Sequence, residues 1–137
     1  MNRRAALLGV WAVALWLAGC AGQAPFQPAP VRFGRVDFLE ARGAPAAPLA
    51  LSLSCDACSP SDAFLATVRF DAALVGKKRP ARLTVLHGGA EVASLDVPDV
   101  RNTRLDAHVQ LRNAPPGEYT LRVETDRLSA EKAFSVR

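Results

Sequence analysis

Two cysteines separated by two residues are the feature of this sequence best suited to chemistry. Cys55 and Cys58 flank Asp-Ala, and such a pair exchanges disulfides with other thiols when a helix N-terminus or a nearby cation lowers one thiol pKa. Together with His87 and His108, the same two thiols could form a zinc or copper site. Neither histidine has a partner ligand at a useful sequence offset, and the chain has no methionine after Met1, which weakens the copper alternative.

The residues that follow the pair do not favour a thioredoxin. Cys58 is followed by Ser-Pro-Ser-Asp and then by another predicted strand, whereas thioredoxin-like pairs are activated by a long helix. The sequence therefore leaves thiol exchange open, but it predicts no helix that would activate the cysteine pair.

The sequence also has few carboxylates whose spacing suggests catalysis. Asp96 and Asp99 flank Pro98, and two carboxylates can act as an acid and a base. A polar loop between strands explains them as well, and the chain has neither Gly-x-Ser-x-Gly nor His-Glu-x-x-His. We therefore expect no enzyme.

The N-terminus has the organisation of a secretory signal. Arg3 and Arg4 precede an apolar run over residues 5–17, which is too short for a membrane-spanning helix of roughly 20 apolar residues. The run closes on Leu17-Ala18-Gly19-Cys20, which resembles the lipobox of bacterial lipoprotein precursors.

The resemblance implies a helical signal peptide over residues 1–19, cleaved before Cys20. It also implies a diacylglycerol on the Cys20 thiol and an acyl chain on the new amino group, and two or three chains together anchor a protein stably. Ala21 favours the outer membrane, with the protein on its periplasmic face. Residues 20–30 are rich in Pro and Ala and predict a short tether, whose last ten residues reach at most about 30 Å.

If Cys20 carries lipid, Cys55 and Cys58 remain as a pair. In an oxidising envelope we expect a disulfide between them. One interpretation is a staple that stiffens a loop. The alternative is a redox-active pair, because immunoglobulin-fold domains with such pairs occur in bacterial thiol-transfer systems.

The charge of the mature chain gives no support for nucleic-acid binding. Loss of Arg3 and Arg4 lowers the formal charge from +4 to +2, and positive and negative residues alternate instead of forming a basic stripe. The one basic cluster, Lys77-Lys78-Arg79, precedes Pro80. It predicts a solvated turn, with contact to anionic lipid as the alternative.

From residue 31 onward the apolar residues recur with a period of two, which predicts strands. Gly88-Gly89 predicts a two-residue hairpin turn. Near Gly34 the pattern changes phase, which indicates a β-bulge or a strand that switches sheets. The predicted strands cover residues 31–39, 49–53, 64–71, 82–87, 90–97, 103–111, 118–124 and 130–136.

Residues 114–123, Ala-Pro-Pro-Gly-Glu-Tyr-Thr-Leu-Arg-Val, resemble the entry to the penultimate strand of immunoglobulin-like and fibronectin type III-like domains. Residues 130–136 resemble the closing strand of bacterial members, so the likeness covers residues 49–137. It implies that Tyr119 forms the tyrosine corner of that family. Both tryptophans lie in the leader, which excludes an antibody-type core. We predict one all-β, antiparallel immunoglobulin-like sandwich of seven or eight strands over residues 31–137.

Together these features predict a membrane-anchored periplasmic lipoprotein, acting as a non-catalytic binding or accessory subunit of a cell-envelope complex. A strand edge or a group of end loops would contact an envelope protein. Leu65 and Leu86 fall on wet strand faces and are candidates for a shared apolar patch. The alternative function is thiol–disulfide or metal handling through Cys55 and Cys58.

Overall fold

Alternating apolar and polar residues build two packed β-sheets. The computed structural model describes residues 30–61, 63–112 and 114–137. The lipobox, Cys20, the predicted signal helix and the tether before Pro30 lie outside them. The described chain forms nine strands: β1 (Arg32–Leu39), β2 (Leu49–Leu53), β3 (Ala57–Cys58), β4 (Ala63–Phe70), β5 (Ala81–His87), β6 (Ala90–Val97), β7 (Arg104–Gln110), β8 (Gly117–Thr125) and β9 (Ser129–Val136).

The strand order confirms the predicted all-β sandwich. One sheet has the order β1-β7-β4-β2, and the other has the order β3-β9-β8-β5-β6. Thus β2-β4-β7 faces β6-β5-β8-β9, which is the order of strands A-B-E and C′-C-F-G in immunoglobulin-like domains. The N-terminal strand β1 occupies the place of strand D beside β7.

One detail differs from the prediction, and one open alternative is decided. The structure has one strand more than predicted, the two-residue β3, which is too short to show an apolar period. It pairs with β9 in parallel, while the other strand pairs are antiparallel. The change of sheet occurs between β2 and β3. Of the two alternatives predicted near Gly34, the β-bulge is the one present, because the register passes from Phe33 opposite Val109 to Val36 opposite Ala107.

The predicted turn between β5 and β6 is present. Gly88 and Gly89 have φ angles of 59° and 79°, which residues with a Cβ adopt only at a cost. The pairing of His87 with Ala90 closes the hairpin around them. This turn is therefore set by its local sequence.

The core fills the space between the sheets. The inward side chains of the central strands β4, β5, β7 and β8 are fully buried, including Val68, Leu83, Leu105 and Leu121. Burial of one such side chain favours folding by about 1.5–3 kcal/mol. The core has two parts, one at each end of the sandwich.

The two ends differ in what they carry. Val31, Cys58 and Leu111 belong to one part of the core, so the entry of the chain and the cysteine pair share one end, here called the disulfide end. The opposite end, the far end, is formed by the loops of residues 40–48, 71–80, 98–103 and 126–128. An eight-residue strand separates the ends by about 26 Å.

Tyr119 joins β8 to the segment before it. Its ring is buried, and its hydroxyl donates a hydrogen bond of 2.6 Å to the carbonyl of Pro115. This is the backward bond implied by the resemblance. Burial raises the pKa of the Tyr119 phenol above its ordinary value.

Tyr119→Phe is expected to lower the free energy of unfolding by about 1 kcal/mol, because Pro115 loses its donor. Since folding favours the protonated phenol, the wild type also loses stability as the pH rises above about 10, where an unfolded tyrosine ionises. Urea unfolding at pH 7 and pH 10.5 tests both effects. Equal stability and equal pH dependence of the two proteins would contradict the assigned bond.

Candidate functional site

The cysteine pair lies where the chain crosses between the sheets. Ser54 continues the pairing of β2, since its N–H donates to the carbonyl of Leu65 at 2.9 Å. Beyond it, Cys55 and Cys58 form a disulfide with 5.6 Å between their Cα atoms. This is the disulfide that the sequence predicts. Cys58 is buried in the core, whereas Cys55 is half-buried. The two cysteines therefore differ in their exposure to solvent.

Backbone bonds attach this crossover to the end of the chain. The N–H of Ser135 donates to the carbonyl of Asp56 at 2.8 Å, and the N–H of Arg137 donates to the carbonyl of Cys58 at 3.1 Å. These bonds hold β3 against β9. The disulfide thus closes the loop that adds a fifth strand to the sheet.

A cavity of about 290 Å³ opens beside the disulfide. Its apolar wall includes Phe64 and Leu111, and its polar wall includes Ser54, Ser59 and Arg137. Both cysteines also line it. A thiol or another small group that enters this cavity meets the disulfide directly.

His87 lies away from the cysteines, at the turn end of β5. Its ring stacks on Tyr119 with 4.1 Å between centroids, and its Nδ1 is 3.0 Å from the carbonyl oxygen of Glu118. Because a carbonyl only accepts, Nδ1 carries the proton. A Cβ on Gly117 would lie 3.2 Å from the His87 ring, so this glycine makes room for the imidazole.

The four metal candidates are not brought together. His108 lies on the outer face of the other sheet, opposite Leu65, and the two cysteines are joined to each other instead of offering thiolates. Within residues 30–61, 63–112 and 114–137, no three His, Cys, Asp or Glu side chains form a group able to hold a metal ion.

The carboxylates of Asp96 and Asp99 have different surroundings. Asp96 accepts a hydrogen bond of 3.3 Å from Arg82. The Oδ1 atom of Asp99 is buried and has no hydrogen-bond partner among the described residues. The structure gives no arrangement in which these two carboxylates share a proton.

Several arginines on the outer sheet faces are paired with carboxylates. On the five-stranded sheet, Arg82 bridges Glu91 and Asp96, and Arg122 bridges Glu124 and Glu131. On the four-stranded sheet, Arg104 forms two hydrogen bonds of 2.9 and 3.0 Å to Asp106. Thr67 donates a third to Asp106, which is buried. Asp106 alternates with the inward residues of β7, and its side chain is buried on the outer face of the sheet by these neighbours.

The cluster Lys77-Lys78-Arg79 lies at the far end in the loop between β4 and β5. The N–H of Gly76 donates to the carbonyl of Val100 at 2.8 Å, and the N–H of Val100 donates to the carbonyl of Arg79 at 2.9 Å. Lys77 and Lys78 project between these anchors with φ angles of 57° and 55°. A left-handed conformation is costly for residues with a Cβ, so the fold imposes this turn.

The predicted apolar patch is wrong. Leu65 belongs to β4 and Leu86 to β5, and these strands are in different sheets, so their outward side chains lie on opposite faces. The large apolar residues that are exposed in the described chain are Leu39 and Leu128, at 41% and 36%. The period of apolar residues did not identify them, because Leu39 ends β1 and Leu128 follows β8 at the far end.

Comparisons with known proteins add no relative. No protein-family model matches the chain, and no curated protein matches its sequence. In the part of the chain that the structure describes, no helix has the length and apolar character needed to cross a bilayer.

The double variant Cys55→Ser/Cys58→Ser is expected to lower the free energy of unfolding by about 2 kcal/mol, the chain-entropy value for so short a loop. Amide exchange at Ser135 and Arg137 should accelerate, because their acceptors are no longer fixed. Urea unfolding and hydrogen exchange measure the two effects. Ser61→Ala, on the same surface loop, is the control, and a double variant as stable as this control would contradict a stabilising role.

Proposed function

We propose that this chain is a lipoprotein anchored through Cys20 to the periplasmic face of the outer membrane. Its β-sandwich acts as a non-catalytic binding or accessory subunit of a cell-envelope complex, with an envelope protein as partner. One observation carries the proposal: the chain enters the sandwich at the disulfide end, and the far end, with its exposed cationic loop, lies about 26 Å away.

The point of entry supports this arrangement. Val31 is 1% exposed and packs with Leu111 and Phe64, so the tether begins at a fixed point of the core. With lipid on Cys20, the disulfide end faces the membrane and the far end is free to meet a partner. The Cys55–Cys58 disulfide agrees with an oxidising compartment.

Two modes of binding were expected, through a strand edge or through end loops. Within the described residues, the edge strands are β1 and β2 in one sheet and β3 and β6 in the other. The pairings of β1 and β6 contain irregularities, at Phe33/Val36 and at Val85/Leu86, while β2 and β3 have only five and two residues. Bulges and short edge strands both impede edge-to-edge pairing. The end loops are therefore the favoured mode.

Cys20→Ser is expected to remove the acyl chains and to prevent cleavage of residues 1–19. Intact-mass measurement and membrane fractionation check this result. Cys55→Ser/Cys58→Ser is the control, since it should keep the acyl mass. A Cys20→Ser protein with unchanged mass modification and membrane retention would rule out the lipid anchor.

Binding itself is tested by chemical crosslinking of the lipidated protein in native membranes. We expect a product larger than the monomer that contains a second envelope protein and survives gentle detergent extraction. Recovery of the free monomer alone would contradict the function as a subunit.

Thiol–disulfide exchange is the second candidate, favoured by the unequal burial of the cysteines beside the cavity. A thiolate of a partner dithiol protein would attack the sulfur of Cys55, the more exposed cysteine, and break its bond to Cys58, which leaves as a thiolate. The partner's second thiol then attacks the mixed disulfide, so the partner is oxidised and this pair is reduced by two electrons.

The reduction potential of the pair separates the two functions. Redox equilibration with glutathione buffers, followed by alkylation and mass measurement, gives this potential. For a structural disulfide we expect a value below about −300 mV, and a value above about −230 mV would favour exchange.

A further inference from the structure

Four cations lie close together at the far end of this domain. On the outer sheet faces, Arg82, Arg104 and Arg122 are held in ion pairs. At the far end, Lys77, Lys78, Arg79 and Arg101 have no carboxylate within 4.0 Å among the described residues. We call these four cations the basic loop surface. Their charges are free to act on a partner.

The backbone brings the four cations together. Val100 bonds to Gly76 and to Arg79, so Arg101, the next residue, lies beside the Lys77–Lys78 turn. Val100 is itself 1% exposed and anchors this contact in the core. Because the turn is fixed before binding, a partner does not have to order it.

Apolar side chains flank the basic loop surface on two sides. Leu39 ends β1, and the next segment bonds to the loop that carries Arg101, since the N–H of Ala41 donates to Thr103 Oγ1 at 3.0 Å. Leu128 lies in the turn after β8, whose residue Thr125 pairs with Ala81, two positions beyond Arg79. The far end therefore combines unpaired cations with the exposed leucines.

This combination selects among anionic partners. A lipid surface attracts cations that face it, but the basic loop surface lies opposite the end at which the tether enters. A purely charged polymer would leave Leu39 and Leu128 in water. A protein segment with both acidic and apolar side chains satisfies both parts of the surface.

We propose that the basic loop surface, with Leu39 and Leu128, is the docking site for an acidic segment of an envelope protein that also carries apolar side chains. The proposal rests on the proposed function as a binding subunit. It adds which end of the sandwich binds and what chemistry the partner presents.

The test is photo-crosslinking of the full-length lipidated protein in cells. Benzoyl-phenylalanine is placed at Asp126, beside Leu128, and separately at Glu118, near the disulfide end of β8. Both positions are exposed acids on or next to the same strand, so the two probes change the net charge equally. We expect a protein crosslink from position 126 only, and its mapped peptide should be acidic and contain apolar residues.

Charge reversal provides the matched comparison. Lys77→Glu/Lys78→Glu should lower the crosslink yield from position 126 about tenfold or more, and Lys77→Gln/Lys78→Gln should lower it less. Arg112→Glu/Lys132→Glu makes the same change in net charge at exposed sites away from the far end and should leave the yield within about twofold. Thermal unfolding of each variant confirms that the fold is retained.

Three results would overturn the docking site: a crosslink from position 126 to lipid or lipopolysaccharide, a mapped partner peptide without acidic residues, or a yield that does not respond to reversal of Lys77 and Lys78. If protein crosslinks arise only from position 118, the binding function stands and this surface is wrong. If no probe position, including Ser94 on β6, gives a protein crosslink, the binding function fails as well.

Discussion

The burial of two facing apolar surfaces is the constraint on which the rest of this structure depends. The central strands β4, β7, β5 and β8 place every second side chain between the sheets, and those side chains lose nearly all contact with water. Apolar burial has no preferred direction, so it holds the sheets together without fixing their ends. The ends are fixed by particular bonds: the disulfide at one, and at the other the two backbone bonds of Val100.

This division gives the two ends different properties. At the disulfide end, Val31, Cys58 and Tyr119 belong to one part of the core, and the described chain enters the sandwich there. At the far end, the loops cross between the sheets and carry four cations that have no carboxylate within 4.0 Å in the described chain. The paired arginines on the outer sheet faces contribute little field beyond their own partners, because close opposite charges cancel at a distance.

The strands were predictable because their determinants are local. A period of two in apolar residues placed all eight longer strands to within one or two residues, and Gly88-Gly89 specified its own turn. The Tyr119 corner was accessible through a short motif. The two-residue β3 was not, because it is held by Ser135 and Arg137, which are more than seventy positions away. The same limit applies to Asp106, which is buried and accepts a hydrogen bond from Thr67 on another strand.

By itself, the sequence determined the class of fold, the strands and the pairing expected of Cys55 and Cys58, because alternation and short spacings are properties of neighbouring residues. Only the tertiary structure decided which residues share a surface. It placed Leu65 and Leu86 on opposite faces, and it brought Arg101 next to Lys77 and Lys78 through Val100. The reason is physical: contacts between strands far apart in the chain are set by how the two sheets pack, and no local pattern records that packing.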